Sequence, residues 1–171
     1  MFRNATMADL DQVAAIYDRI HTEEEAGRST VGWIRGVYPT RQTALASIQA
    51  GICSWPRDGQ IVATAKINQE QVPVYASAAW SREAKPQEVM VLHTLVVDPQ
   101  VKGKGWGSRF VAFYEDYARD HGCRDLRMDT NERNAAARRL YHNLGYQEVS
   151  ILPCEFNGIP GVNLVCLEKL L

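Results

Sequence analysis

No stretch of this chain approaches the roughly 20 consecutive apolar residues that a membrane-spanning helix needs. The opening Met1-Phe2-Arg3-Asn4-Ala5-Thr6 has no signal-peptide apolar region either, so a cytoplasmic protein is expected. Cysteine is scarce and scattered. Cys53, Cys123, Cys154 and Cys166 form no Cys-x-x-Cys pair and have no histidine at metal-ligand spacing. A metal site is therefore not expected, and without an export signal the thiols should be reduced. A surplus of charge is missing too: at a net charge of −1, nothing argues for wholesale binding to nucleic acid or to a membrane surface. There is no internal repeat, low-complexity tract or linker-like run, so residues 1–171 are expected to form one domain. Its 46% hydrophobic content is enough to bury a substantial core.

What is present concentrates between Val89 and Phe110. Val89 to Val97 is rich in β-branched and other apolar residues and reads as a buried strand. Asp98-Pro99 ends it, because Pro99 has no N–H for a ladder and biases Asp98 toward extended backbone. Lys102-Gly103-Lys104-Gly105-Trp106-Gly107 follows, and then Phe110, Phe113, Tyr114, Tyr117, Ala118 and His121 recur at the spacing of one helical face. Strand, glycine turn and helix start together make an anion site. The first N–H groups of a helix lack intrahelical partners, and its dipole is positive there. Lys102 and Lys104 either add to that charge or are merely solvated. A Walker loop needs Ser or Thr after Gly-Lys, whereas Gly105 follows Lys104. The dinucleotide fingerprint needs its third glycine one residue later and no polar link after the strand.

A second patterned stretch runs from Asn131 to Tyr146. Ala137, Leu140, Tyr141 and Leu144 line one helical face, and Gly145 supplies a left-handed stop. The two stretches together resemble the GCN5-related N-acetyltransferase (GNAT) family. Its coenzyme motif Gln/Arg-x-x-Gly-x-Gly/Ala falls on Lys102-x-x-Gly105-Trp106-Gly107, with Lys102 in place of the usual Gln or Arg. Its later signature Asn-x-x-Ala-x-x-x-Tyr-x-x-x-Gly-Phe falls on Asn134, Ala137, Tyr141 and Gly145, with Tyr146 in the Phe place. The resemblance implies an α/β (α+β) fold: a mostly antiparallel mixed sheet of about seven strands, splayed between the fourth and fifth, with four helices.

The rest of the chain fits that order of elements. Phe2 to Ala5 is a short strand, and Thr6 to about Glu25 a capped amphipathic helix with a polar, acidic end. That end either is a solvated face or draws cationic substrates. Gly27 to Pro39 is a loop carrying Trp33 and Tyr38, aromatics that pin it to the core or face a ligand. Pro39-Thr40 starts a second helix that stops at Gly51. Ile52 to Trp55 and Ile61 to Ile67 form a hairpin with Asp58-Gly59 at its turn. Residues 68–88 form a long connection of no clear type, and long loops in compact domains are often functional. Leu126 to Thr130 alternates like a strand with one wet face, and Gln147 to Leu152 and Val162 to Leu167 are closing strands.

The resemblance further implies a function: acetyl-CoA-dependent transfer of an acetyl group to a primary amine, with coenzyme and acceptor bound together. The pantetheine arm would pair with main-chain groups of Leu95, Val96 and Val97, and an N–H near Leu95 or Val96 would face the thioester oxygen. The pyrophosphate would rest on Lys102, Gly103, Lys104, Gly105, Trp106, Gly107 and Ser108. Asn134 and Ala137 would border the coenzyme, Tyr141 would act as general acid, and Trp33 and Tyr38 would border the acceptor. Only about one lysine-like amine in 10³ is neutral at pH 7, so a base relieves on the order of 4 to 5 kcal/mol of deprotonation cost. His93 is the candidate, two residues before Leu95 and on its face if the strand alternates strictly. A buried, hydrogen-bonded histidine is the plain alternative, and Glu88 and Asp98 are fallback bases. A small-molecule amine is the expected acceptor and a homodimer is allowed. A protein or peptide acceptor, or a non-catalytic acyl-CoA sensor, are the competing functions.

Overall fold

The computed structural model describes residues 2–51 and 53–171, and Cys53 by its backbone alone. Ile52, where the sequence predicts the hairpin to begin, lies outside the described residues. One seven-stranded sheet runs in the order β1 (Arg3–Asn4), β2 (Cys53–Arg57), β3 (Gln60–Asn68), β4 (Val89–Val97), β5 (Asp125–Asn131), β7 (Ile159–Leu170), β6 (Gln147–Phe156). Only β4 and β5 are parallel. That parallel pairing needs a crossover, and α3 (Trp106–Asp120) supplies it. The remaining helices are α1 (Leu10–Glu25), α2 (Arg41–Gln49) and α4 (Ala135–Asn143).

Three apolar clusters hold the layers. Phe110, Val111, Tyr114 and Ala118 of α3 and Tyr141 of α4 pack on Met90, Leu92, Leu126 and Met128 across one face. Val13, Ile16, Tyr17 and Ile20 of α1 and Ala44 of α2 cover the other face near Val96. Beyond α1 and α2, no α-helix among the described residues covers that second face. The 68–88 connection lies there instead, setting Tyr75 against Val89, Val91, Val162 and Leu164.

This corrects the expectation of a wet face on β5. Asp125 and Arg127 are buried beneath the connection, which polar contacts tie down, five of them to β5 or its neighbour β7. Arg82 pairs with the Asp125 carboxylate, the Ser81 N–H donates to Glu168 (2.9 Å) and Arg127 donates to Gln71 (2.5 Å) while lying over Trp80 (4.2 Å). The fifth joins the Tyr75 hydroxyl to Asp129 (2.7 Å). Long segments of irregular chain stay ordered only when such bonds satisfy their polar groups.

β4 and β5 pair only from Val89↔Asp125 to Leu92↔Met128. Past that point both strands continue, β4 to Val97 and β5 to Asn131, without pairing to each other. The sheet opens between His93 and Asp129.

Candidate active site

The opening is sharpened by one irregularity. Thr64 and Lys66 of β3 pair with Val96 and His93, so two steps on β3 span three on β4. Thr94 sits at the excess residue with φ of 51°, in the left-handed region. A β-branched residue there costs on the order of 1–3 kcal/mol, a strain that recurs at ligand sites. The Tyr38 hydroxyl, 2.8 Å from Thr94 Oγ1, helps to hold it. The bulge leaves Thr94 and Leu95 without partners on β3, and past Leu92 no residue of β5 pairs with β4 along the gap.

The bulge also overturns the expected alternation. Leu95 and Val97 pack with Met90 and Leu92 on the α3/α4 face. His93 stays on the opposite face with Val89 and Val91, across from Lys66. His93 and Leu95 therefore point to opposite sides. The histidine is also committed, with Nε2 lying 2.9 Å from Asn68 Oδ1. That oxygen already accepts the Glu70 N–H (3.1 Å), so Nε2 is the donor and Nδ1 keeps the lone pair. Burial first, and then the Lys66 charge, push its pKa down to about 4.

Asp129 is the residue that sequence reasoning missed. It stands on β5 where pairing with β4 stops, and burial pushes its carboxyl up to about 6 while the Tyr75 hydrogen bond pulls it down. The available signal was an acid on the face of β5 opposite Leu126 and Met128, in a strand beside the cofactor motif. Tyr141 lies nearby and is buried. Burial, and then the Asp129 charge, raise its pKa far above the ordinary phenol value, so its hydroxyl keeps its proton. The fallback bases are elsewhere. Glu88 precedes β4 at its far end, accepting the Lys85 N–H. Asp98 holds the Arg19 guanidinium through two bonds (2.9 and 2.7 Å) and caps its own turn at the Gln100 N–H.

Three cavities meet at the opening. A groove of about 390 Å³ is lined by Leu95, Val96, Val97, Lys102, Gly103, Gly105, Trp106, Gly107, Ser108, Asn134 and Ala137. Of the residues expected around a coenzyme, only Lys104 falls outside that lining, exposed on the turn. A central chamber of about 100 Å³ joins Thr94, Leu95, Asp129, Asn134 and Tyr141 under Trp33 and Tyr38. An outer chamber of about 210 Å³ opens from the Asp129 side, bounded by Tyr38, Lys66, His93, Phe156 and Asn157. Trp33 and Tyr38 pin the loop, packing edge to face on each other (5.9 Å), and also line the central chamber.

The glycines of the turn divide their work. Gly103 and Gly105 have φ of 80° and 75°, and a Cβ on either would meet nothing within 4 Å. Backbone conformation requires them, and the space beside them is open. Gly107 has an ordinary helical backbone, but a Cβ would sit 3.0 Å from Leu140 Cδ2. It lets α3 and α4 approach closely beneath the groove.

The acidic end of α1 is partly exposed, and each of its three carboxylates is engaged by the loop that follows. Glu23 takes the Arg28 guanidinium, the Glu24 carboxylate accepts the Val31 and Gly32 N–H groups (2.7 and 2.9 Å) and Glu25 takes Arg35. All three clasp the loop that carries Trp33. Among the described residues no group of His, Cys, Asp and Glu is placed to hold a metal ion, and no helix is long and apolar enough to cross a membrane. Cys123, Cys154 and Cys166 are free thiols, each with its pKa raised chiefly by burial.

Comparison with known proteins agrees with this geometry. The chain is 33% identical over 76 residues to an N-acetyltransferase of Bacillus subtilis named YhfO, covering 44% of this chain and 47% of that protein. It is 30% identical over 60 residues to an aminoglycoside N(6')-acetyltransferase type 1 of Serratia marcescens, covering 35% and 41%. The chain thus spans less than half the length of the curated relatives it matches. Among solved structures, a GNAT-family acetyltransferase of Streptococcus agalactiae superposes with a TM-score of 0.82 at 21% identity, over 100% of this chain and 95% of that one. An acetyltransferase of Salmonella typhimurium, solved with acetyl-CoA, superposes at 0.68 and 20% identity over 99% and 92%. The profile described as "Acetyltransferase (GNAT) family" matches residues 13–146, more than half of the sequence, and the chain belongs to that family.

Proposed function

We propose that this protein is an acetyl-CoA-dependent N-acetyltransferase that acts on a primary amine of a small molecule, with both substrates bound together. One observation carries it. The parting of β4 and β5 brings the groove of the glycine turn, the Tyr141 hydroxyl and the Asp129 carboxylate onto one small chamber. The residues fit the coenzyme: the turn presents open glycines and Lys102, and the bulged main chain at Leu95 has no ladder partner. Lys102 to Ser108 would hold the pyrophosphate at the start of α3, and Leu95 to Val97 the pantetheine amides. Acetyl-CoA, when bound, supplies the acyl thioester.

The chain's own residues do the rest. Asp129 takes the proton of the attacking amine. At about 6, its pKa exceeds that of His93, at about 4, by enough to favour proton uptake by about 3 kcal/mol. The base expected from sequence, His93, is in this account a neutral wall of the acceptor chamber. Tyr141 keeps a proton at its hydroxyl for the departing thiolate. Main-chain N–H groups of β4 past Leu92, which β5 no longer pairs, stabilise charge on the acyl oxygen. Trp33, Tyr38 and Phe156 roof the chamber, which favours a small amine over a peptide laid in an open groove.

A panel of amines with acetyl-CoA, followed by release of free thiol, tests the assignment. Transfer should occur, and Tyr141→Phe should lower turnover while coenzyme A binding stays intact. Turnover unchanged in Tyr141→Phe would remove its acid role. Coenzyme binding without transfer to any amine would point to a sensor.

A further inference from the structure

The outer chamber carries opposite charges at its two ends. Among the described residues that line it, Asp129 is the one carboxylate and Lys66 the one cation, with the neutral His93 between them in β4. Lys66 and Asn68 already show what their donors accept. Lys66 Nζ and Asn68 Nδ2 both donate to Glu70 Oε2, at 2.8 and 2.9 Å. Glu70 is not among the residues that line the chamber and is 74% exposed, whereas Lys66 lines it and is 27% exposed. An exposed ion pair of this kind contributes little, so a competing carboxylate fixed at its other end can displace Glu70.

Resting on the transferase activity proposed above, we infer that the acceptor is an amino acid, its amine at Asp129 and its carboxylate taking the place of Glu70 on Lys66 and Asn68. The charge pattern also disfavours polycations. A diamine or polyamine would place a second ammonium against Lys66, where the neighbouring acid, Glu70, is already held by Lys66 and Asn68. His93 fits this arrangement because it is uncharged at neutral pH. It neither repels the amine nor competes with Lys66 for the carboxylate.

The test is a matched series of α- and ω-amino acids of increasing length, their carboxamides, and diamines of the same lengths, assayed with acetyl-CoA. At least one amino acid should exceed its carboxamide by about tenfold or more in kcat/KM, the scale of a charge-assisted hydrogen bond, with the diamine poorest. Lys66→Met should raise KM for that acid about 10- to 100-fold, leave its carboxamide nearly unchanged, and abolish the acid's thermal stabilisation of the coenzyme A complex. Glu70→Ala should lower KM for the acid by freeing Lys66. Carboxamides or diamines used as well as acids, or a Lys66→Met effect equal for all acceptors, would overturn the inference while leaving the transferase intact. No transfer to any amine by the wild-type protein would overturn both.

Discussion

The groove proposed for the coenzyme takes most of its walls from two runs of chain, 95–108 and 134–140, whereas the proposed acceptor side draws one or two residues from each of six separated segments. Trp33 and Tyr38 come from the α1–α2 loop, Lys66 from β3, His93 from β4, Asp129 from β5, and Phe156 and Asn157 from the β6–β7 turn, with Tyr75 reaching in from the 68–88 connection. The groove works through backbone: left-handed glycines, a helix start and unpaired strand amides. The acceptor side works through side chains whose charge states depend on burial. Substitutions should therefore act differently on the two sides.

The largest effect belongs to Asp129→Asn. Loss of a general base should lower kcat by about 10²- to 10⁴-fold, with coenzyme A affinity within about twofold of wild type. A parallel fall in coenzyme affinity would break the separation between the two sides. The same substitution should stabilise the fold. A carboxyl whose folded pKa, about 6, lies above the free value of 3.8 favours folding below 3.8, and that contribution is lost as pH rises through about 6. At pH 8 the native state then carries a burden of up to about 3 kcal/mol that the neutral amide removes, visible as a higher Tm.

Gly105→Ala is the counterpart in the groove. A Cβ at φ of 75° costs about 1–2 kcal/mol, so the KM for acetyl-CoA should rise roughly 5- to 30-fold while the amine KM stays fixed. Next comes Tyr75→Phe. Rate should fall on the acid side as Asp129 protonates near 6, and losing the Tyr75 hydrogen bond raises that pKa further. The acid limb of kcat/KM should move up by about half to one pH unit, with the coenzyme KM unchanged. His93→Ala should matter less, lowering kcat no more than about tenfold and leaving that acid limb in place. A His93 effect as large as that of Asp129 would restore the histidine as base. Lys104→Ala, on the exposed side of the turn, should change coenzyme affinity by no more than about twofold.

The same contrast explains what could be read from sequence. The groove was legible because its strand, turn and helix start are contiguous, and each announces itself: β-branched residues, Pro99, spaced glycines, a periodic apolar face. The second motif added Asn134, Ala137 and Tyr141 for the same reason. Of the acceptor side the sequence offered Trp33 and Tyr38 alone as bordering residues, because no local pattern links Lys66 to Asp129 or Tyr75 to either. Alternation misplaced His93 relative to Leu95, since nothing in His-Thr-Leu marks a β-branched threonine as the site of a left-handed bulge. The acids at the end of α1 looked like solvated charge because their partners, Arg28, Arg35 and the Val31 and Gly32 amides, lie in a loop without a periodic signal.

The bulge at Thr94 carries one consequence for the β4 strand. If the strand kept Thr94 but ran straight through it without a bulge, strict in-and-out order would return, and every side chain from Leu95 to Val97 would trade covers. Val96 would leave α1 for α3 and α4, and Leu95 and Val97 would turn toward α1. One bulge thus decides which helix layer owns the far half of the strand.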